Sequence, residues 1–335
     1  MREKVNGFVG VMAVAILCMV SGLCMVWGIA PVVLAVYVAA CAVCGRYMIT
    51  CIGCAAGVAA GSMGIAGLLH AYEYMIPGPV YSGVMVTEKY LVLLGLAMCL
   101  MKIVYSRNSR SYVRVIVVMS AAVLMGNIVV YADNMLMAAA YGVVEAAIFM
   151  CASVILKPGI GLLYTYICGD ASDVERDESW NISQGIVSLM ALAAVVLWVV
   201  PGEDIYGVNP AFMLALVLIL YAVYRTGAVY GCGMAAVAGS IVSVKLNDSR
   251  WLMWMLLVTL VMLIGRALTG RRKVSASLFY VLGCVLASVA DGTVLWNGSG
   301  REIAFYYINI AVPVVLFACI PGALLGAMDE ETDPA

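Results

Sequence analysis

Gly53-Cys54-Ala55-Ala56-Gly57-Val58-Ala59-Ala60-Gly61-Ser62 carries a small residue at every fourth position, and the chain contains a second version of the run. The second reads Gly231-Cys232-Gly233-Met234-Ala235-Ala236-Val237-Ala238-Gly239-Ser240. With one gap, Gly53, Gly57 and Gly61 align with Gly231, Ala235 and Gly239. Each run follows an apolar segment opened by proline, Gly28-Ile29-Ala30-Pro31 in the first case and Gly207-Val208-Asn209-Pro210 in the second. A spacing of four puts the small residues on one helical face, forming a groove that a neighbouring backbone can approach closely in lipid. Proline suits a helix start, where its missing N–H is no loss. Because the order of the flanking features matches too, an internal duplication is expected. The plain alternative is chance similarity within an alphabet of Gly, Ala, Val and Cys.

Composition sets the solvent. Of 335 residues, 65% are hydrophobic and 11% charged, with mean hydropathy +1.07. So little charge cannot cover the surface of a soluble domain of this size. Apolar runs near the roughly 20 residues needed to cross a bilayer recur along the chain, and the alternating ten-residue strands of a membrane barrel do not. The expected fold is an all-α polytopic integral membrane protein. A formal net charge of −1 gives no basic field for nucleic acid.

Spans are predicted at 8–28, 31–45, 48–70, 89–106, 113–131 and 135–156, then at 184–201, 207–224, 227–244, 252–270, 274–292 and 304–326. That makes about twelve, or about ten if the short small-residue segments are re-entrant. The domains follow: a first membrane half at 1–157, an acidic linker at 158–183, a second half at 184–328 and an acidic tail at 329–335. The repeats lie six spans apart, which predicts a parallel rather than an inverted repeat. Arg2, Lys4, Arg46, Arg107, Arg110, Arg114, Lys157, Arg176, Arg225, Arg271, Arg272 and Lys273 collect on one side, with Lys89, Lys245, Arg250 and Arg301 on the other. The positive-inside rule then places both termini in the cytoplasm and the chain in the plasma membrane. The linker's charged run, Asp170 to Glu178, reads as a solvated segment, and His70 to Glu88 as a turn-rich outer loop.

Glu145 is the most informative single residue, an acid near the middle of an apolar span. A bare carboxylate there is costly, so it marks either a proton or cation site or a hydrogen-bonded strut between helices. Asn127, in the preceding span, is its candidate partner. Lys102 and Arg266 lie near basic span ends and can snorkel. Asp291 and Asn309 read as structural, and Pro313 and Pro321 as a kink or an early end to the last span.

Cys41, Cys44, Cys51 and Cys54 form two C-x-x-C pairs across the turn at Arg46, on paper a four-thiolate zinc or iron–sulfur spacing. Against it, Cys41 and Cys54 fall a turn inside the membrane, and of the four only Cys54 has a counterpart, Cys232. The remaining cysteines are scattered like small apolar residues. With His70 the only histidine, no triad, phosphate loop or nucleophile elbow is present. Neither a cofactor nor a catalytic residue is expected.

This layout resembles the N-terminal membrane region of the stage II sporulation protein E family of endospore-forming bacteria. The residues that carry the resemblance are Gly28-Ile29-Ala30-Pro31 leading into 32–43, the small-residue ladders at 53–67 and 227–240, and the closing apolar pair at 274–290 and 304–327. In that family about ten spans precede a cytoplasmic serine/threonine phosphatase domain that helps activate a forespore-specific sigma factor, and the membrane part holds the protein at the division septum. These 335 residues contain nothing corresponding to the phosphatase, so no catalytic residue carries over. The resemblance implies a membrane module, either a stand-alone relative or a truncated product, that anchors and assembles through helix packing. Its partners would be the lipid bilayer, further copies of itself, and septal or phosphatase proteins. The second reading is a secondary transporter of a small solute with Glu145 as coupling residue, against which the second half offers no matching acid.

Overall fold

A computed structural model describes residues 2–23, 31–63, 83–103, 109–132, 134–168, 182–200, 202, 208–270, 272–291 and 300–319. Among the described residues the regular elements are twelve α-helices: α1 (Arg2–Leu23), α2 (Pro31–Cys44), α3 (Tyr47–Met63), α4 (Gly83–Ile103), α5 (Ser109–Val130), α6 (Met135–Cys168), α7 (Ile182–Val199), α8 (Pro210–Thr226), α9 (Ala228–Leu246), α10 (Arg250–Thr269), α11 (Lys273–Asp291) and α12 (Gly300–Cys319). Five contain segments long and apolar enough to cross a membrane: Arg110–Val130, Met135–Thr165, Ala228–Leu246, Arg250–Thr269 and Lys273–Ala290. Large apolar side chains such as Val117, Val129, Leu136, Met253 and Leu268 stand exposed on them, as a lipid-facing surface requires. The chain is an all-helical, multi-pass membrane protein whose environment is a lipid bilayer.

Two compact units divide the chain, Met1–Val199 and Val200–Ala335. The first holds α1 to α7 and the second α8 to α12, whereas the sequence predicts a division at 157–183. The cause lies in α6. It does not stop at Lys157 but runs through Pro158 to Cys168, because an interior proline removes one intrahelical hydrogen bond without ending the helix when neighbours compensate. Here the Gly159 N–H donates to Ser188 Oγ on α7 at 2.5 Å. A Cβ at Gly159 would lie 2.8 Å from the Ser188 carbonyl carbon, so the two helices touch through backbone. Helix α7 therefore packs on α6 and α1 and belongs to the first unit. The first eleven residues of the expected linker are helical; the acidic run from Asp170 to Glu178 lies outside the described residues, as do His70, Pro321 and the tail.

At the centre of the first unit is α2. Its sequence is apolar on every side, the pattern of a helix buried all round, and every residue from Pro31 to Cys41 is buried. Helices α1, α3, α4 and α6 surround it. Fourteen residues span about 21 Å, short of the roughly 30 Å hydrocarbon core. Gly45 ends it with φ +63° and returns its N–H to the Cys41 carbonyl at 3.0 Å, a left-handed cap that glycine adopts without strain.

In the second unit α8 begins at an Asn-Pro pair. Asn209 Oδ1 accepts the Phe212 N–H at 2.9 Å while Pro210 takes the first helical position, satisfying one orphan donor and dispensing with another. The Asn209 N–H in turn donates to Asn309 Oδ1 on α12 at 3.0 Å, and its Nδ2 donates to the Gly202 carbonyl at 2.6 Å. Asn309 thus holds a helix start. At the other end of α8, Arg266 on α10 donates through Nη1 to the Val223 carbonyl, placing a cation at a helix C-terminus where the dipole favours it. Helix α12 continues through Pro313 to Cys319.

Candidate functional site

Three helices of the first unit, α4, α5 and α6, bring Lys89, Asn127 and Glu145 together. Lys89 Nζ donates to Glu145 Oε2 at 2.8 Å and to Asn127 Oδ1 at 3.1 Å. Asn127 Nδ2 donates to the same Oε2 at 2.7 Å and to the Val123 carbonyl of its own helix at 3.1 Å. The lysine side chain is 4% exposed and the glutamate 17%. The ammonium also lies 4.7 Å from the centre of the Tyr90 ring, within cation–π range.

Local sequence explains how a lysine fits among packed helices. Gly126 on α5 faces the lysine stem, and a Cβ there would come 3.2 Å from Lys89 Cγ. Gly142 on α6 lets α5 approach, since a Cβ would stand 3.4 Å from Leu124 Cα and 3.5 Å from Asn127 Cβ. The stacked Tyr131 and Tyr141 rings, 5.3 Å apart, lie at the α5–α6 turn beyond the triad. Chemically the cluster is neutral as a whole. One carboxylate oxygen receives two donors and the lysine charge meets its counter-charge in a low-dielectric setting, the condition under which a buried pair offsets its desolvation.

The expected pairing of Asn127 with Glu145 is seen at 2.7 Å. Lys89, assigned from sequence to an outer loop, is corrected: α4 starts at Gly83, so Lys89 lies inside a helix and is buried. The available signal was a second charge, opposite in sign to Glu145, close to a span start.

The four-cysteine set is not assembled. Cys41 Sγ faces Thr50 Oγ1 at 3.2 Å, whereas Cys54 Sγ is directed at the Val33 carbonyl at 3.9 Å. Thr50 and Cys54 stand one turn apart on α3, so the two thiols meet different partners at successive levels. Among the described residues no three His, Cys, Asp or Glu side chains are grouped to hold a metal.

Both small-residue ladders sit at close helix contacts, but against different neighbours. A Cβ at Gly53 would fall 2.6 Å from the Ala15 carbonyl oxygen, and one at Gly57 would strike the Met19 carbonyl and stand 3.0 Å from Gly22 Cα. Gly61 is buried too. The first ladder therefore seats α3 on α1. In the second, Gly231 abuts Val223 on α8, Ala235 is fully buried, and Gly239 abuts Leu252 on α10, with Cβ distances of 2.8 Å and 3.0 Å for the two glycines. The two small-residue helices are thus used in two packing contexts.

No family model matches the chain, and neither a curated protein nor a solved structure is significantly similar to it.

Proposed function

We propose that the protein is a membrane-embedded anchoring and assembly module of the plasma membrane, with both termini cytoplasmic, serving endospore formation at the division septum. The observation that carries this reading is the closed Lys89–Asn127–Glu145 triad, whose donors and acceptors meet one another across three helices. A carboxylate held by a lysine and an amide reads as a strut. The ladders support the same conclusion, because their small faces lie against neighbouring helices and rigidify each unit. Such a body presents exposed apolar helices to lipid, to further copies or to septal partners. The resemblance of the sequence layout to the membrane region of stage II sporulation protein E suggests the cellular setting.

The test is fluorescence microscopy of a C-terminal fusion through asymmetric division in a spore-forming host. Accumulation at the polar septum is expected. An even spread around the membrane would remove the septal role.

A second reading, a secondary transporter, is favoured by one feature: Glu145 keeps 17% of its side-chain surface exposed, so a proton or cation could reach it. Loss of proton-coupled solute uptake in Glu145→Gln vesicles that still contain folded protein would establish transport and displace the strut reading.

A further inference from the structure

At one end of the second unit, α10 and α11 part around a cleft of about 390 Å³. The two helices meet backbone to backbone at Gly283, where a Cβ would lie 3.1 Å from Val258 Cα. Beyond that contact, among the described residues, α11 presents Ala287 and Ala290 to the cleft. The large residues opposite do not fill the space, because Trp251 and Trp254 turn toward Phe212 on α8, with ring centres 5.0 Å and 5.2 Å away. The gap follows from small residues on one wall and bulky residues engaged elsewhere.

Its rim is charged and its floor apolar. Arg250 holds Asp248 by Nε at 2.9 Å and Nη2 at 2.7 Å to Oδ2, and the arginine side chain remains 60% exposed. Arg250 opens α10 and Asp248 lies two residues before it, at the end of a helix long and apolar enough to cross a membrane, so Trp251 falls where interfacial tryptophans are favoured. One turn deeper the lining is Trp254, then Leu257. The volume is within the roughly 300–1,000 Å³ of small-ligand sites, room for a headgroup and the upper part of one chain.

We propose that this cleft binds one zwitterionic phospholipid of the ethanolamine class, its phosphate at Arg250, its ammonium toward Asp248, and an acyl chain along Trp254, Ala287 and Ala290. Charge complementarity selects the headgroup. Among the described lining residues the rim pairs one guanidinium with one carboxylate, so an anionic head gains nothing from their net charge, whereas a phosphate–ammonium head matches both groups. The polar order also fits, since charge, tryptophan and alanine follow one another from headgroup to hydrocarbon.

The experiment uses the full chain with Trp251 and Trp254 as the only tryptophans, Trp27, Trp180, Trp198 and Trp296 being replaced by Phe. It is reconstituted in phosphatidylcholine vesicles doped with acyl-brominated phosphatidylethanolamine. Saturable quenching is expected at a fraction where brominated phosphatidylcholine has little effect. Ala290→Leu, which fills the cleft, should abolish the saturable component. Arg250→Gln should weaken it roughly tenfold, as loss of a charged hydrogen bond would. Ala290→Ser leaves the cleft open and should keep it, separating occupancy from misfolding. Equal quenching by both brominated lipids, or quenching unchanged by Ala290→Leu, would reduce the effect to bilayer collisions and overturn the proposal. Preference for brominated phosphatidylglycerol would overturn it as well.

Discussion

Lys89 and Glu145, 56 residues apart in sequence, meet at 2.8 Å between α4 and α6. Neither charge has an equivalent partner if the other is removed, so the two substitutions are strongly coupled. Glu145→Gln leaves the lysine buried beside an amide, a change expected to cost about 3–5 kcal/mol. Removing both charges with Lys89→Met and Glu145→Leu should restore most of that loss, because a hydrophobic replacement of a buried pair is often neutral. Unfolding of the purified variants in mixed micelles measures both. A single variant as stable as the parent would show that the pair holds nothing together.

Close contact at the first ladder makes a second, size-graded prediction. Gly57→Ala drives a methyl group into the Met19 carbonyl of α1, and overpacking of this kind costs about 1–3 kcal/mol. Gly57→Leu should separate α3 from α1 altogether. Gly95 on α4 is the control, since nothing lies within 4 Å of its Cβ position. Gly95→Ala should be neutral or stabilising by up to about 1 kcal/mol through helix propensity. Thermal stability in detergent ranks the three. The same order for Gly57→Ala and Gly95→Ala would mean that the α1–α3 contact is loose.

These two sites show what the sequence discloses and what it withholds. Proline positions and apolar period locate helices such as α2 and α8, because those signals act within one segment. Glu145 stands out alone in its span, and Asn127 is one span away. Lys89 was hidden because the Glu88-Lys89 pair looks like a loop end, and only folding places it against an acid 56 residues on. The end of α6 was hidden for a similar reason. Lys157-Pro158 reads as a stop, and the hydroxyl that receives the Gly159 N–H comes from Ser188 on another helix. Repetition in the ladders shows that both pack closely, yet their neighbours depend on contacts that each ladder makes with helices outside the repeat.

Asn209 and Asn309 form the hydrogen-bonded link that fixes the start of α8. Asn209→Ala removes the cap and should cost about 0.5–2 kcal/mol. Asn309→Ala keeps the cap but strands the buried Asn209 N–H, with an expected cost of about 1–3 kcal/mol. Because Asn309 accepts from the backbone of residue 209, which survives in Asn209→Ala, the two losses should be close to additive in a double-mutant cycle. A coupling as large as either single effect would place the link in the Asn209 side chain instead.

Asp248 provides a pH test outside the spans. Hydrogen bonds from the Arg250 side chain and N–H hold its carboxyl below the usual aspartate range. Its folded value is depressed, so the stabilisation is present above the ordinary value near 3.9 and disappears as pH falls through the lower folded value. The pair is open to solvent, where such bridges contribute little. Asp248→Asn should therefore leave the melting temperature at neutral pH nearly unchanged. Isotope-detected titration of the carboxyl should give a midpoint below the usual aspartate range that moves most of the way back toward it in Arg250→Gln, the backbone N–H of residue 250 still donating. An unchanged midpoint in that variant would remove Arg250 as the cause.

Cys41 and Cys54 face different partners, Thr50 and the Val33 carbonyl, and no three ligand side chains are grouped among the described residues, so the C-x-x-C pairs should not act as one ligand set. Protein purified without chelator is expected to carry no stoichiometric zinc or iron. Cys41→Ser and Cys54→Ser should each leave the metal content unchanged. They should differ in stability, because Cys41→Ser retains a polar contact to Thr50, whereas Cys54→Ser puts a shorter-reaching hydroxyl in a fully buried site where the sulfur lies 3.9 Å from the Val33 carbonyl. Emission spectrometry of the purified variants decides the first point and thermal unfolding the second. One zinc per chain, lost in both variants, would mean that α2 and α3 rearrange around a metal.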